Sequence, residues 1–424
     1  MILEFLAIQV QLWELSLAAV VMAEETQMFE QDIVVVGAGI AGLSTALGLH
    51  RLGIQSVVLE SSDSLRMTGF ALTMWRNAWR ALDALGIGHI LRNKSVQIQG
   101  FNFLPMNSNQ PTSDQSDIKS PDQEIRCVKR RDLLDTLSKE LPEGTIRYSS
   151  RIISIEQSGS HKLVHLADGS IFRTKVLIGC DGINSMVAKW LGLQSPVSAG
   201  RAAIRGFVDY FNGGHGFEPK FHGFFGGGVR YGFIPCDEKS IYWFCTFTPS
   251  LFEYDENDGD PVKMKQFVMK NILNVPKRAS DIVERTKLDS ISCAQLKLRS
   301  PWNILVGNLS RNGVCVAGDA LHPMTPDIGQ GGCSALEDSI VLARCLGQAA
   351  LVRDETRLER GVQKYAEERR WRSFCLISAA YVVGMLQESN NKAVTWLRKM
   401  VVSRYTGAAL LRISEFDFGK LSVS

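Results

Sequence analysis

The chain has 424 residues, more than one hydrophobic core usually organises, so two domains or one domain with a large insertion are expected. Its 47 lysines and arginines nearly balance 44 aspartates and glutamates, and the net charge of +3 removes the electrostatic case for nucleic acid as a partner. Nine cysteines without a C-x-x-C pair predict reduced thiols and a cytoplasmic location, with no disulfide framework or zinc site.

The histidines do not indicate a metal site either. His161 and His165 are four residues apart, but "HKLVHLADGS" predicts a strand and a turn. In a strand this spacing separates the two side chains by roughly 13 Å, too far for one ion. We therefore expect no metal.

The first 31 residues fit no standard targeting segment. The apolar run "FLAIQVQLWELSLAAVVMA" is interrupted by Gln9, Gln11 and Glu14, and no lysine or arginine precedes Arg51. A signal peptide begins with positive charge, a transit peptide contains arginines, and a membrane span needs about 20 predominantly apolar residues. We expect an extension ahead of a start at Met22, dispensable for folding, with an amphipathic anchor as the alternative.

Residues 32–60, "DIVVVGAGIAGLSTALGLHRLGIQSVVLE", predict a buried strand, a glycine turn, a helix and a second strand. The G-x-G-x-x-G pattern allows a tight turn, lets a pyrophosphate approach the backbone, and lets helix and strand pack closely. Glu60 follows 18 residues after Gly42, near the roughly 20 typical of a carboxylate that binds an adenosine ribose. The predicted dinucleotide site comprises Gly37, Ala38, Gly39, Ile40, Ala41, Gly42 and Glu60.

Two arginines in the 80 or so residues after Glu60 are added to the predicted dinucleotide site. Arg66 follows the ribose-binding acid, and Arg130 begins a predicted helix in "KRRDLLDTLSKEL". Between them, Trp75 and Trp79 belong to a helical pattern and are expected in the core. The polar stretch 107–123 predicts a mobile surface loop between two strands.

Two more stretches repeat the strand-turn-helix pattern. "TKVLIGCDGINSMVAKWLGL" runs from a buried strand into the turn Asp181-Gly182, and residues 312–347 run from a strand into the turn Gly318-Asp319. The second stretch continues through a proline-containing loop to glycines that open a long helix. Because a helix N-terminus has unpaired N–H groups, it can stabilise negative charge on a ligand.

These patterns predict an α/β fold: a Rossmann-like dinucleotide-binding domain interleaved with an antiparallel sheet domain, and a helical C-terminus. The first domain takes residues 32–95, 124–199 and 291–370; the second, which would face an organic substrate, takes 96–123 and 200–290, where aromatic residues alternate along predicted strands. The final segment is 371–424, in which "SFCLISAAYVVGML" is too short to span a membrane and predicts a packed helix.

With these motifs in this order, the chain resembles the single-component FAD monooxygenases of the para-hydroxybenzoate hydroxylase type, above all the plant branch related to salicylate hydroxylases and zeaxanthin epoxidase. The resemblance spans about residues 32–347. It implies that the glycine turn, Glu60 and Arg66 hold the ADP part of FAD, that Arg130 contacts the cofactor, and that Asp181-Gly182 serves FAD and the nicotinamide donor. It further implies flavin contacts at Asp319, Pro323, Gly329, Gln330, Gly331, Gly332 and Cys333.

The sequence departs from the family pattern in two ways, and both limit what the resemblance implies. The family's D-G motif commonly ends S-x-V-R, whereas here Val187 is followed by Ala188 and Lys189, so NADH and NADPH both stay open as donors. Carotenoid epoxidases of this group carry an additional C-terminal domain, for which this chain has no room, so carotenoid epoxidation is disfavoured.

The resemblance implies that NAD(P)H reduces a non-covalent FAD, that O2 forms a flavin C4a-hydroperoxide, and that one oxygen atom passes to a small organic substrate, aromatic or terpenoid-like. A single dinucleotide fingerprint implies that NAD(P)H binds transiently. No general base is evident; for His322 a structural role is favoured over a catalytic one. An FAD-dependent dehydrogenase or reductase and a non-catalytic flavin-binding protein are the alternatives.

Overall fold

The computed structural model describes residues 27–66, 70–106, 114–118, 123–211, 213–226, 228–252, 259–388 and 411–422. Residues 1–26, on which the expected start at Met22 depends, lie outside this description. The described chain is a mixed α/β protein with four sheets.

A six-stranded sheet contains the predicted glycine-turn unit. In spatial order its strands are β18 (Ser310–Arg311), β19 (Val314–Val316), β12 (Val176–Gly179), β2 (Ile33–Val36), β3 (Val57–Leu59) and β8 (Ile146–Arg147). All neighbours pair in parallel except the β18–β19 hairpin. The central strands β2 and β12 are buried along their whole length, as expected for parallel strands covered on both faces. This sheet confirms the strands predicted at all three strand-turn-helix motifs.

A seven-stranded sheet contains the aromatic middle region. In spatial order its strands are β17 (Ile291–Leu298), β13 (Val197–Asp209), β16 (Ser240–Phe247), β15 (Val229–Pro235), β14 (Lys220–Gly226), β5 (Gly100–Pro105) and β6 (Asp114–Asp117). The expectation of a purely antiparallel sheet is wrong at one pair, because β5 and β14 run parallel. The strand β6 falls inside the stretch predicted as a loop; pairing with the edge of β5 uses only backbone groups, so its polar sequence carried no signal.

Two smaller sheets complete the β-structure. One has the order β1 (Met28–Glu30), β11 (Ile171–Thr174), β10 (His161–Leu166) and β9 (Ile152–Ser158), and the other pairs β4 (Ala71–Met74) with β7 (Arg126–Lys129). His161 and His165 lie on strand β10, as predicted.

The helices pack around the six-stranded sheet or against the seven-stranded one. They are α1 (Ile40–Arg51), α2 (Arg76–Ala84), α3 (Gly88–Arg92), α4 (Arg130–Lys139), α5 (Met186–Trp190), α6 (Pro261–Asn271), α7 (Lys277–Arg285), α8 (Pro301–Val306), α9 (Gly331–Ala350) and α10 (Arg357–Glu388). Short 3₁₀ turns occur at Pro249–Leu251, Leu288–Ser290, Gly318–Ala320 and Pro326–Ile328. The helix α9 contacts α1, α2 and α10 and is the central helix of the larger core. Among the described helices, none is long and apolar enough to cross a membrane.

Two of the predicted domain limits can be placed on this fold. The limit between residues 370 and 371 lies inside the continuous helix α10. The limit at residue 291 falls just before β17, which was predicted to belong to the dinucleotide-binding domain and which pairs with β13 at the edge of the seven-stranded sheet. Neither limit coincides with a glycine, proline or polar linker, so local sequence could not reveal them.

Candidate active site

The glycine turn adopts the geometry that its three glycines predict. Gly37 has a φ of +97°, and a Cβ there would lie 2.6 Å from the carbonyl oxygen of Cys180. A Cβ at Gly42 would lie 1.9 Å from the carbonyl oxygen of Gly37, so α1 can leave the turn this closely only without a side chain. At Gly39, by contrast, no atom of the described residues other than its chain neighbours lies within 4 Å of the Cβ position. The space above the second glycine is therefore open to a ligand.

Glu60 closes this turn from the end of β3. Its Oε2 accepts a hydrogen bond from the backbone N–H of Ala38 at 2.8 Å, and its Oε1 accepts one from the N–H of Ser62 at 2.9 Å. Arg66 is exposed, and its Nη2 lies 3.8 Å from Glu60 Oε1. The carboxylate is thus held beside the glycine turn by two backbone donors.

The carboxyl ends of β2, β12 and β19 meet at one edge of the parallel sheet, and a cavity of about 510 Å³ lies between that edge and the seven-stranded sheet. Ligands of open α/β sheets bind at this edge. The predicted site residues that line the cavity are Gly39, Ile40, Ala41, Arg130, Gly182, Asp319, Gly329, Gly331 and Gly332. Those outside its lining are Gly37, Ala38, Gly42, Glu60, Arg66, Asp181, Pro323, Gln330 and Cys333.

Asp319 and Arg130 supply opposite charges to the parallel-sheet side of the cavity. The side chain of Asp319 is exposed to the cavity, and the protein around it raises its pKa by burial, against the opposing charges of His322, Arg130 and Arg205. Burial lowers the pKa of Arg130, whose Nη1 also donates to the carbonyl oxygen of Arg66 at 2.6 Å. The pair can serve a ligand that carries both hydroxyl and phosphate groups.

Several predicted residues take supporting positions instead. Asp181 Oδ2 accepts a hydrogen bond from the N–H of Met186 at 2.7 Å and so caps α5. Pro323 is buried, with its carbonyl accepting from the N–H of Arg299, and it is Pro326 that lines the cavity. Gln330 Oε1 accepts from Asn77 Nδ2 at 2.9 Å.

Cys333 faces the core. It is fully buried, its Sγ lies 3.5 Å from the donating N–H of Trp75, and burial raises its pKa to about 12. The thiol is therefore neutral and unreactive at neutral pH.

The N-terminus of α9 forms part of the cavity wall through Gly331 and Gly332. Apart from its chain neighbours and the backbone of α9, no atom in the described part of the chain lies within 4 Å of the Cβ position of Gly331. The first N–H groups of a helix have no acceptor within it, and a helix of 20 residues presents partial positive charge there. This end of the cavity suits an electron-rich ligand edge.

The seven-stranded sheet supplies the opposite wall of the cavity, whose individual residues were not predicted from the sequence. Its aromatic members are Phe101, Phe103, Phe221, Tyr242 and Phe244, and its basic members are Arg205 and Arg230. Arg201, Ala203 and Arg205 lie at every second position of β13, and alternate residues of a strand share one face. This spacing in "RAAIRG" was the sequence signal that could have placed two arginines on one face of the sheet. Asp327 lines the same wall and binds Arg201.

A fully buried polar network lies behind the loop that carries Asp319. Asp338, on α9, accepts hydrogen bonds from the N–H of Gly318 at 2.7 Å and from Arg369 Nε at 2.6 Å, and its Oδ2 lies 2.6 Å from His322 Nε2. Ser334 Oγ lies 3.1 Å from the same nitrogen of His322. Since His322 is 0% exposed and absent from the cavity lining, its contacts favour the structural role.

Glu337 extends this network towards α2 and α10. It is held by Arg369 at 2.8 Å, Arg372 at 2.7 Å and Asn77 at 2.6 Å. Burial opposes ionisation of Asp338 and Glu337, but the charges of His322 and the two arginines outweigh it, so both pKa values lie below the usual range. The network joins α9, α10, α2 and the Gly318 turn into one unit.

Comparison with known proteins agrees with this geometry. A model of the FAD binding domain family matches residues 30–379. Monooxygenase 2 of Arabidopsis thaliana is 49% identical over 402 residues, covering 92% of this chain and 98% of its own, and Monooxygenase 1 of the same plant is 36% identical over 404 residues, covering 93% and 100%. The structure of Klebsiella pneumoniae HpxO complexed with FAD and uric acid superposes with a TM-score of 0.78 at 22% identity, covering 91% of this chain and 96% of that one, a likeness that shows the fold.

The chain therefore belongs to the FAD binding domain family, as the glycine turn and the cavity at the strand ends indicated. Within that family it is an FAD-dependent monooxygenase, an oxidoreductase, as the resemblance seen in the sequence implied.

Replacing Asp338 by Asn should destabilise the fold by about 3–5 kcal/mol, because the buried guanidinium of Arg369 would keep only Glu337 as a carboxylate partner in the described chain and the N–H of Gly318 would lose a charged acceptor. Urea unfolding at pH 7 measures the difference. Because the pKa of Asp338 is lowered in the folded state, its stabilisation is present above an unfolded-state pKa of about 3.9 and is lost as pH falls through the lower folded value. The difference in free energy of unfolding between the wild type and Asp338→Asn should therefore become smaller below about pH 4.

The matched control is Asp417→Asn, which removes an exposed ion pair with Arg80 and should cost at most about 1 kcal/mol. An Asp338→Asn variant as stable as this control would contradict the role assigned to the network.

Proposed function

We propose that the six-stranded sheet and the helices around it form a discontinuous, Rossmann-like FAD-binding domain, interleaved with a substrate domain built on the seven-stranded sheet and followed by a helical C-terminus. Two separate hydrophobic cores support this division: one contains β2, β12 and α9, and the other contains Tyr231, Trp243 and the inner faces of α6 and α7. In this arrangement residues 291–298 belong to the substrate domain, and α10 extends the FAD-binding one.

The residues present fit an FAD. We assign the glycine turn, Glu60 and Arg66 to its ADP part, Arg130 to its phosphates and Asp319 to the ribityl hydroxyls. We assign the backbone of Gly329–Cys333, which leads into α9 and forms its first turn, to the N1/O2 edge of the ring. The open Cβ positions at Gly39 and Gly331 are the observation that supports this assignment, since both lie where the backbone must approach a planar or anionic group. Bound FAD supplies electron transfer from NAD(P)H to O2 and delivery of one oxygen atom to an electron-rich substrate.

The protein's own contribution is position, electrostatics and exclusion of water. The partial positive charge at the start of α9 stabilises negative charge on the ring, which is electrostatic preorganisation. The aromatic wall of the seven-stranded sheet excludes water and suits a small organic substrate, aromatic or terpenoid-like. Burial raises the pKa of Tyr242, so its Oη keeps its proton at neutral pH and can donate to a substrate oxygen. We propose that NAD(P)H binds transiently against the same cavity.

Asp319→Ala should weaken FAD retention by about 1.5–3 kcal/mol, because a ribityl hydroxyl would lose a charged acceptor. Equilibrium titration of apoprotein with FAD, followed by flavin fluorescence, measures this change. Asp289→Ala, at an exposed residue outside the cavity lining, is the control and should bind FAD as wild type does. Unchanged FAD affinity in Asp319→Ala would remove Asp319 from the cofactor site.

The reaction is tested by purified, FAD-loaded protein in ¹⁸O2. It should oxidise NAD(P)H slowly alone, releasing hydrogen peroxide, and faster with a true substrate, while the peroxide yield falls. Mass spectrometry should find one labelled oxygen atom in the product. A substrate that is turned over without gaining labelled oxygen would instead support a dehydrogenase.

Gly331→Val should lower coupling of NAD(P)H oxidation to product, because its branched side chain enters the open space at the start of α9. The apoprotein should melt at nearly the wild-type temperature, since, apart from neighbours in the chain and the backbone of α9 itself, no atom of the described residues lies within 4 Å of the new Cβ. Gly331→Ala is the size control and should lose less coupling. A fully coupled Gly331→Val enzyme would place the flavin ring elsewhere.

A further inference from the structure

The helix α10 contains a stretch that has no charged side chain on any of its faces. Residues 373–386, "SFCLISAAYVVGML", form about four helical turns and extend over roughly 21 Å. One face is packed, as the sequence predicted, and its Leu376, Ile377 and Ala380 are buried. Because a helix that is apolar all round is normally covered on every side, the opposite face should be covered as well.

The opposite face is open to solvent in the described chain. Trp371, Cys375, Val382 and Met385 are exposed, and together with the half-buried Ser378 they follow one another at spacings of four and three residues. This spacing places all five on one side of the helix. Trp371 is 63% exposed, although tryptophan is on average a highly buried residue. The described residues therefore leave an apolar strip of α10 uncovered.

The short helix α8 widens this strip. Trp302 is 68% exposed and Val306 is 82% exposed. The ring centre of Phe374 lies 5.9 Å from that of Trp302 and 5.1 Å from that of Trp371. Arg370 Nη1 donates to three carbonyl oxygens at the end of α8, at 2.6, 2.9 and 2.9 Å, and so fastens α8 to α10. A contiguous exposed apolar surface of this kind indicates an interaction site.

We call this surface the α8–α10 patch, and the helix beneath it is held firmly in the fold. A Cβ at Gly384 would lie 2.5 Å from Asp327 Oδ2, so α10 can approach the ion pair of Asp327 and Arg201 this closely only without a side chain. Further along the same helix, Arg369 binds both carboxylates of the buried network. The patch is therefore a fixed surface of the folded enzyme. Its exposed members are Trp302, Val306, Trp371, Val382 and Met385.

The sequence that follows α10 is basic. Residues 389–410, which lie outside the described residues, contain Lys392, Arg398, Lys399 and Arg404 and no aspartate or glutamate. Because the whole chain has a net charge of only +3, these four cations are a local excess of positive charge. An apolar surface followed by cations complements a bilayer that contains anionic lipids, since the acyl boundary accepts apolar side chains and the headgroups attract lysine and arginine.

We propose that the α8–α10 patch docks on the surface of a membrane that contains anionic lipids. Trp302 and Trp371 would lie at the level of the headgroups, where tryptophan is enriched, and Val306, Val382 and Met385 would reach the acyl boundary. In a two-fold pairing, a second copy of this chain would present the same uncharged patch and the same cations, so it would supply no anionic partner. The inference goes beyond the proposed reaction, because no member of the patch lines the cavity.

Vesicle binding by the purified full-length protein tests the docking. The vesicles consist of phosphatidylcholine alone or of phosphatidylcholine with about one third phosphatidylserine, and bound protein is measured by flotation. We expect at least about tenfold tighter binding to the mixed vesicles, and this preference should decrease at high salt because salt screens the attraction between cations and anionic lipids. Absence of binding to both kinds of vesicle, or equal binding to both, would overturn the proposal.

Two substitutions test the patch itself. Val306→Asp and Met385→Asp each place a carboxylate in it, and each should weaken binding to the mixed vesicles about fivefold or more, through lost apolar contact and repulsion by the lipid charge. Since both side chains are exposed, the variants should keep the wild-type melting temperature and flavin content. Leu273→Asp, at a 77% exposed leucine outside the patch, is the matched control and should bind as wild type does. An equal loss in Leu273→Asp would attribute the effect to net charge and remove the patch from the interaction.

Brominated lipids report which tryptophans reach the bilayer. Bromine on the acyl chains should quench tryptophan fluorescence when the protein binds, and the double variant Trp302→Phe with Trp371→Phe should still bind but lose most of this quenching. Quenching that persists in the double variant would assign the lipid contact to Trp13 or Trp396, outside the described residues, and contradict the role of α8 and α10. A dimer in sedimentation that dissociates in Val306→Asp would assign the patch to a second copy instead.

Discussion

The arrangement of the cavity depends on the carboxylate of Asp338. Three strand ends and the start of α9 meet at one edge of the parallel sheet, where strands and helix end and leave backbone groups without a partner in their own element. Asp338 provides partners for several of these groups. Its carboxylate accepts hydrogen bonds from the N–H of Gly318 and from Arg369, and it contacts His322. A single buried anion thus fixes the turn that carries Asp319 relative to α9, and the helix α10 supplies the compensating charge.

Rigidity of this kind matters because flavin chemistry is sensitive to small displacements. The cofactor brings its own reactivity, so the protein must hold it at a constant position relative to the helix N-terminus and to the substrate wall. The ion pairs of Glu337 and Asp338 are fully buried, whereas Arg66 and Arg130 approach from the more open side. With FAD placed as proposed, the ring would lie at the rigid end of the cavity and the nucleotide at the more accessible end.

On the opposite wall of the cavity, salt bridges between strands and a loop hold the charged side chains. Its arginines are attached to strands of the seven-stranded sheet, and Asp327, which binds Arg201 and Arg230, lies in the short turn just before α9. The same salt bridges thus connect the seven-stranded sheet to the loop that leads into α9. With flavin and substrate placed as proposed, a substitution in this wall would also shift the loop next to the flavin ring.

The sequence by itself determined the parts of this protein that local chain geometry controls. Gly37, Gly39 and Gly42 could be assigned roles because a tight turn, a phosphate approach and a close helix contact each exclude a side chain, and the fully apolar β2 and β12 identified the parallel sheet. Only the tertiary structure decided that β17 joins the seven-stranded sheet, that β5 and β14 run parallel, and that Pro326 replaces Pro323 at the cavity. It also brought Arg205 and Arg230 to one wall. Strand pairing and side-chain convergence join residues far apart in the chain through backbone hydrogen bonds and long-range packing, and neither leaves a pattern in a local stretch of sequence.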